Sequence, residues 1–101
     1  LAFKVTTVRL SEETVEDLED LSDKLRRERS EVMREAIKIG IEEMKLRLAL
    51  ELYREGKASF GRTAELAGLS QRALFLELKQ RGIPYRYGEE RFTEEAERLV
   101  G

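Results

Sequence analysis

The chain has 101 residues, with 19 basic and 21 acidic side chains, a net charge of −2 and 40% charged residues, against about 25% in an ordinary globular domain. Cysteine and histidine are both absent, which excludes disulfides, thiolate zinc sites, cysteine nucleophiles and histidine-dependent triads. No apolar run is long enough to span a membrane, and no secretory leader pattern opens the sequence, so a cytoplasmic protein is expected. Asparagine is missing, glutamine occurs only at Gln71 and Gln80, and Glu, Lys and Arg are abundant, a composition associated with hyperthermophiles.

In chain order, Phe3 to Leu10 is rich in Val and Thr and reads as the one β-strand. Alternation places Lys4, Thr6, Val8 and Leu10 on one face and Phe3, Val5, Thr7 and Arg9 on the other. Ser11 follows as a helix N-cap, with Glu12 and Glu13 where the helix dipole favours anions. Val15, Leu18, Leu21 and Leu25 recur at helical spacing, so an amphipathic helix is predicted to about Arg27. A short turn leads to Ser30, a second predicted N-cap. The helix it opens carries Val32, Met33, Ala36, Ile37, Gly40, Ile41, Met44 and Leu48 and extends to about Glu55. Gly40 costs about 1 kcal/mol relative to Ala inside a helix, and close helix packing is the expected reason for it.

Gly56 to Phe60 reads as a loop, Gly61 to Ala67 as a short helix, Gly68 to Ser70 as a turn, and Gln71 to Arg81 as another helix. Gly82, Ile83 and the single proline, Pro84, end it. Tyr85 to Glu90 reads as irregular, and Thr93 as the cap of a last helix carrying Ala96 and Leu99. Two units are expected, residues 1–50 and 51–101, with the long helix as a bridge.

The near-neutral total hides an alternation of charge. Residues 11–23 hold seven acids and no base, whereas residues 24–38 hold six cations (Lys24, Arg26, Arg27, Arg29, Arg34, Lys38) against Glu28, Glu31 and Glu35. Residues 59–88 hold five cations and two anions. A nucleic-acid binder needs a basic face rather than a basic total.

A lone strand requires a hydrogen-bonding partner, and the first half of the sequence contains no second strand. The same strand from a second copy, antiparallel across a two-fold axis, would supply one. Such a ribbon fits the DNA major groove. In that arrangement Val8, Leu10, Val15, Leu18, Leu21, Val32, Ala36 and Ile37 form the core.

Residues 3–48 resemble the ribbon-helix-helix family of Arc and MetJ type. The resemblance lies in the stretch Lys4 to Glu13, in the turn Arg26-Arg27-Glu28-Arg29, and in Ser30 to Ala36, which opens the second helix. It implies base reading from the ribbon, at positions held here by Val5, Thr7 and Arg9. It also implies phosphate contacts at the start of the second helix, at Ser30, Glu31 and Val32, with Arg27 and Arg29 beside them and Lys4 on the strand. Free N–H groups and the positive end of a helix dipole suit an anion there. The implied fold is mainly α with one β-strand per chain: a ribbon-helix-helix dimer followed by a small C-terminal helical domain.

In the second half, Ala64 to Ser70 followed by Gln71 to Lys79 is similar to a helix-turn-helix, and two readings of it stand open. Gln71, Arg72 and Lys79 could read DNA. Alternatively, Leu74, Phe75, Leu76 and Leu78 make the helix apolar almost all round, which implies burial in protein contact or core packing, with Gln71, Arg72, Phe75 and Lys79 marking the surface if it is a protein contact. Residues 49–99 also resemble a small family of uncharacterised prokaryotic proteins proposed as antitoxins, on the stretches Ala49 to Lys57, Arg62 to Ser70 and Arg81 to Tyr85. That resemblance implies a PIN-type ribonuclease toxin as partner, with the acidic segment Glu89 to Val100 suited to contact it.

No catalytic constellation stands at a telling spacing: Glu42-Glu43 and Glu89-Glu90 are adjacent pairs whose side chains diverge. The expectation is therefore a homodimeric, sequence-specific DNA-binding repressor that needs no cofactor or metal and is not an enzyme. The antitoxin role extends that expectation, and a protein-interaction module with little DNA role is the alternative.

Overall fold

The computed structural model of the chain describes residues 2–86. The predicted last helix, with Thr93, Ala96 and Leu99, and the acidic segment from Glu89 lie outside the described residues. Four helices follow one another: α1 (Glu12–Leu25), α2 (Arg29–Arg54), α3 (Phe60–Ala67) and α4 (Gln71–Gln80). By internal contacts the chain divides between Lys38 and Ile39 into two compact units.

No β-strand occurs among the described residues, and this corrects the ribbon-helix-helix fold class expected from the sequence. Residues 2–10 are exposed throughout and belong to no regular element, with Val5 97% and Phe3 83% accessible. The physical reason is the one that demanded a partner: Val and Thr only favour extended backbone, and a strand exists only when a ladder satisfies its N–H and C=O groups. The described residues supply no such ladder.

In the first unit, the Ser11 hydroxyl caps α1 by accepting from the Thr14 N–H at 3.2 Å. The helix ends on Arg26, the one non-glycine residue with positive φ among the described residues (54°). The Arg26 N–H donates to the Asp23 carbonyl (3.2 Å) and the Arg27 N–H to that of Ser22 (3.1 Å), so the last carbonyls of α1 are satisfied. Of the core expected here, only Val32 is buried. Val15 and Leu18 are half-buried, whereas Val8, Leu10, Leu21, Ala36 and Ile37 are exposed. A hairpin of two helices can cover only the faces turned towards each other, and Val32 is what that arrangement encloses. Ser22, the other buried residue, donates its hydroxyl to the Leu18 carbonyl at 2.7 Å.

The second unit has a true core. Leu46, Leu50 and Tyr53 on the C-terminal part of α2 pack with Phe60 and Ala64 of α3, Leu74, Phe75 and Leu78 of α4, and Ile83. This is why the division falls at residue 38 rather than at 50: the last turns of α2 belong to the three-helix core that follows them. Ser59 caps α3, its hydroxyl accepting from the Arg62 N–H at 3.1 Å, while the buried Thr63 hydroxyl donates to the Ser59 carbonyl at 2.7 Å. Beyond α4, residues 83–86 close the core. The Tyr85 ring meets Phe60 and Phe75 edge-on, each at 4.9 Å between centroids. Among the described residues Gly40 does not serve close packing, since a Cβ placed there would meet nothing within 4 Å.

Candidate nucleic-acid interface

Lys4, Val5, Thr7 and Arg9 all lie on the exposed segment before α1. Without a ladder, nothing in the chain sets which of them share a face.

The turn between α1 and α2 differs from expectation in detail. α2 begins at Arg29, so Ser30 is inside its first turn and is not its cap. The Val32 N–H is taken by the Glu28 carbonyl at 3.1 Å and is not free for a phosphate. Arg27 pairs with Glu35 and with Glu31 at 3.6 Å, and Arg29 with Glu19 at 3.2 Å. The Glu35 hydrogen bond and charge hold the Arg27 guanidinium above its ordinary pKa. The groove at this turn is lined by Arg26, Arg27 and Arg29 but also by Glu19, Asp23, Glu28 and Glu31. Those carboxylates oppose an anion there.

The helix-turn-helix-like segment is built more sharply. α3 ends on Gly68 in the left-handed region (φ 70°), whose N–H donates to the Glu65 carbonyl. The Leu69 N–H donates to the Ala64 carbonyl at 2.9 Å. Two residues later the Ser70 hydroxyl caps α4 by accepting from the Ala73 N–H at 3.1 Å. Three residues thus close one helix and open the next, the tight spacing such a motif requires.

Most of the apolar run of α4 is buried, as its pattern implies. Leu74, Phe75 and Leu78 are buried, so Phe75 is corrected from surface residue to core. Gln71 is half-buried, and Arg72, Leu76, Lys79 and Gln80 are exposed. Arg72, Leu76 and Lys79 stand four and three residues apart and share one face. The Lys79 Nζ lies over the Phe75 ring, 5.9 Å from its centroid.

The neighbouring cations are engaged. Arg62 pairs with Glu65 at 2.9 Å. Arg81 pairs with Glu77 at 3.0 Å and Glu43 at 3.5 Å, and its hydrogen bond to Glu77 holds it above its ordinary pKa. Among the described residues Arg72 and Lys79 form no ion pair, which leaves their charge for a ligand. Leu76 and Gln80 were missed as surface residues. The signal available for them was the spacing from Arg72, which places Leu76 with the cations.

Among the described residues no group of three or more acidic side chains is arranged to hold a metal, and no helix is long and apolar enough to cross a membrane.

Comparison with known proteins gives a consistent family. The model of an uncharacterised protein family, UPF0175, matches residues 6–100. A UPF0175 protein of Archaeoglobus fulgidus is 52% identical over 46 residues, which is 46% of this chain and 53% of that protein. A UPF0175 protein of Aeropyrum pernix is 41% identical over 54 residues, covering 54% of this chain and 61% of that protein. The matched stretches thus span little more than half the length of these relatives. No solved structure matches the chain. With nearly its whole length matched by one family model, the chain belongs to the uncharacterised protein family UPF0175.

Proposed function

We propose that the protein is a sequence-specific DNA-binding transcriptional regulator whose α4 enters the major groove. The observation that carries this reading is the row Arg72, Leu76 and Lys79, exposed on a capped helix that follows a three-residue turn, with neither cation paired to a carboxylate among the described residues. A helix fits the major groove, an Arg there can donate in bidentate fashion to guanine O6 and N7, and an apolar side chain suits a thymine methyl. Lys79, a point charge one turn further on, suits a phosphate. The basic balance of residues 59–88 favours the same partner.

The test is titration of DNA from the gene's own upstream region at several salt concentrations. Binding should fall steeply with salt, and Arg72→Ala should weaken the preferred site by about 1–3 kcal/mol while leaving random DNA little changed. Salt-insensitive binding, or an Arg72→Ala protein that still selects its site, overturns the reading.

One observation favours a second reading. Leu76 is 41% exposed at the middle of the row, and an apolar centre rimmed by cations also suits a protein surface. In this version the protein neutralises a ribonuclease toxin of PIN type, as the antitoxin resemblance implies. Leu76→Glu would then abolish complex formation with the toxin expressed from a neighbouring gene, with no DNA binding to lose.

A further inference from the structure

We infer that the far side of α2 is a dimerisation seam that takes a second copy of this chain in antiparallel orientation. The core of the second unit uses one face of this helix, through Leu46, Leu50 and Tyr53. At about 100° per residue, Leu48 stands about 200° round the helix from Leu46. On that opposite side Ile37, Ile41, Met44 and Leu48 are 56%, 49%, 68% and 59% exposed. Their spacing of four, three and four residues is the apolar repeat of a two-helix seam. All lie on the single helix α2, and nothing among the described residues covers them.

The charges at the two ends of the seam decide the occupant. Continuing the repeat by three residues in each direction gives Arg34 at the N-terminal end and Glu51 at the C-terminal end, both exposed. An antiparallel copy centred between Ile41 and Met44 sets Ile37 against Leu48 and Ile41 against Met44. The same register sets Arg34 against Glu51, twice by symmetry. A parallel copy would place Arg34 against Arg34 and Glu51 against Glu51, at a cost. A closed two-fold pair also explains why the stripe stops after four apolar layers. Gly40, whose missing side chain serves no contact among the described residues, lies on the flank of this seam. The inference does not rest on DNA binding. It adds to that reading that any operator would be palindromic.

The absence of cysteine makes a direct test clean. In the full-length protein, oxidation of a mixture of Arg34→Cys and Glu51→Cys chains should give the mixed disulfide dimer. Arg34→Cys alone should give none, because 17 residues of helix separate the two ends by about 25 Å. Sedimentation over a dilution series should show a dimer that Met44→Glu weakens about a hundredfold. Arg34→Glu should weaken it about tenfold, and adding Glu51→Arg to the same chain should restore it. Far-UV circular dichroism of each variant separates lost association from lost helix. A monomer at every concentration, ready cross-linking of Arg34→Cys to itself, or failure of the double charge swap to rescue overturns the inference.

Discussion

The guanidinium of Arg86 lies 3.8 Å from the centroid of the Tyr53 ring. It also donates to the carbonyls of Tyr53 and, at 2.8 Å, of Ala58, while the Arg86 N–H donates to the Tyr53 hydroxyl at 3.0 Å. One residue therefore ties the end of α2, the loop before α3 and the segment after α4 into the same core. Tyr53 is almost wholly buried, so its hydroxyl needs a donor or acceptor at the core's edge.

Arg86→Ala should destabilise the second unit by about 2–4 kcal/mol, from the lost cation–π contact and the charged hydrogen bonds to two carbonyls. Arg86→Lys should cost less, since an ammonium keeps the ring contact but cannot span both carbonyls. Urea unfolding of the two variants measures the difference. Equal loss in both would mean that the fork geometry contributes nothing.

Gly68→Ala should cost about 1–2 kcal/mol, and the cost is purely that of backbone. The residue sits at φ 70°, and a Cβ there would meet nothing within 4 Å, so left-handed strain is the only penalty. Gly68→Asn should cost less, because Asn tolerates this region. Thermal unfolding ranks the three proteins. On the proposed DNA-binding function, in which the turn aims α4, Gly68→Ala should also bind DNA more weakly than Gly68→Asn.

Gly40→Ala should stabilise the isolated chain by about 0.5–1 kcal/mol, since the site is mid-helix and its surroundings are open. The measurement belongs at low protein concentration, where association does not contribute. Destabilisation there would show that Gly40 has a conformational role within its own chain.

Acid should weaken the fold in a defined window. The Glu43 carboxylate is held below its ordinary value of 4.5 mainly by its hydrogen bond from Arg47. Lys57 does the same for Glu55. A carboxylate with a depressed folded-state pKa contributes stability above its unfolded value, and loses it as pH falls through the folded one. The stability these two provide should be constant above about pH 5 and decline below about 4.5. Glu43→Gln should flatten the decline, as followed by urea midpoints against pH. Glu43 is half-buried and Glu55 exposed, so solvent reaches both pairs and the effect should shrink with added salt.

The four helices of the described chain were legible in the amino-acid order. The Ser11 cap is a local feature: a hydroxyl and an N–H three residues on need no other part of the molecule. Ser59 and Ser70, expected in a loop and a turn, cap by the same local geometry. Apolar spacing and the glycines at 68 and 82 did the rest. Ser30 failed as a cap because Glu28 and Ser30 both precede a helical run, and the Glu28 carbonyl took the first helical bond.

What the sequence determined by itself was the set of helices, the Ser11 cap and the turn before α4, because those depend on neighbours within about four residues. Only the tertiary structure decided that residues 2–10 form no strand and settled between the partner-surface and core alternatives for Phe75, in favour of the core. It also decided that, among the described residues, Arg72 and Lys79 form no ion pair while Arg27, Arg29, Arg62 and Arg81 do. Ladder pairing, burial and ion pairing all depend on which distant groups come within a few ångströms, and linear order does not specify that.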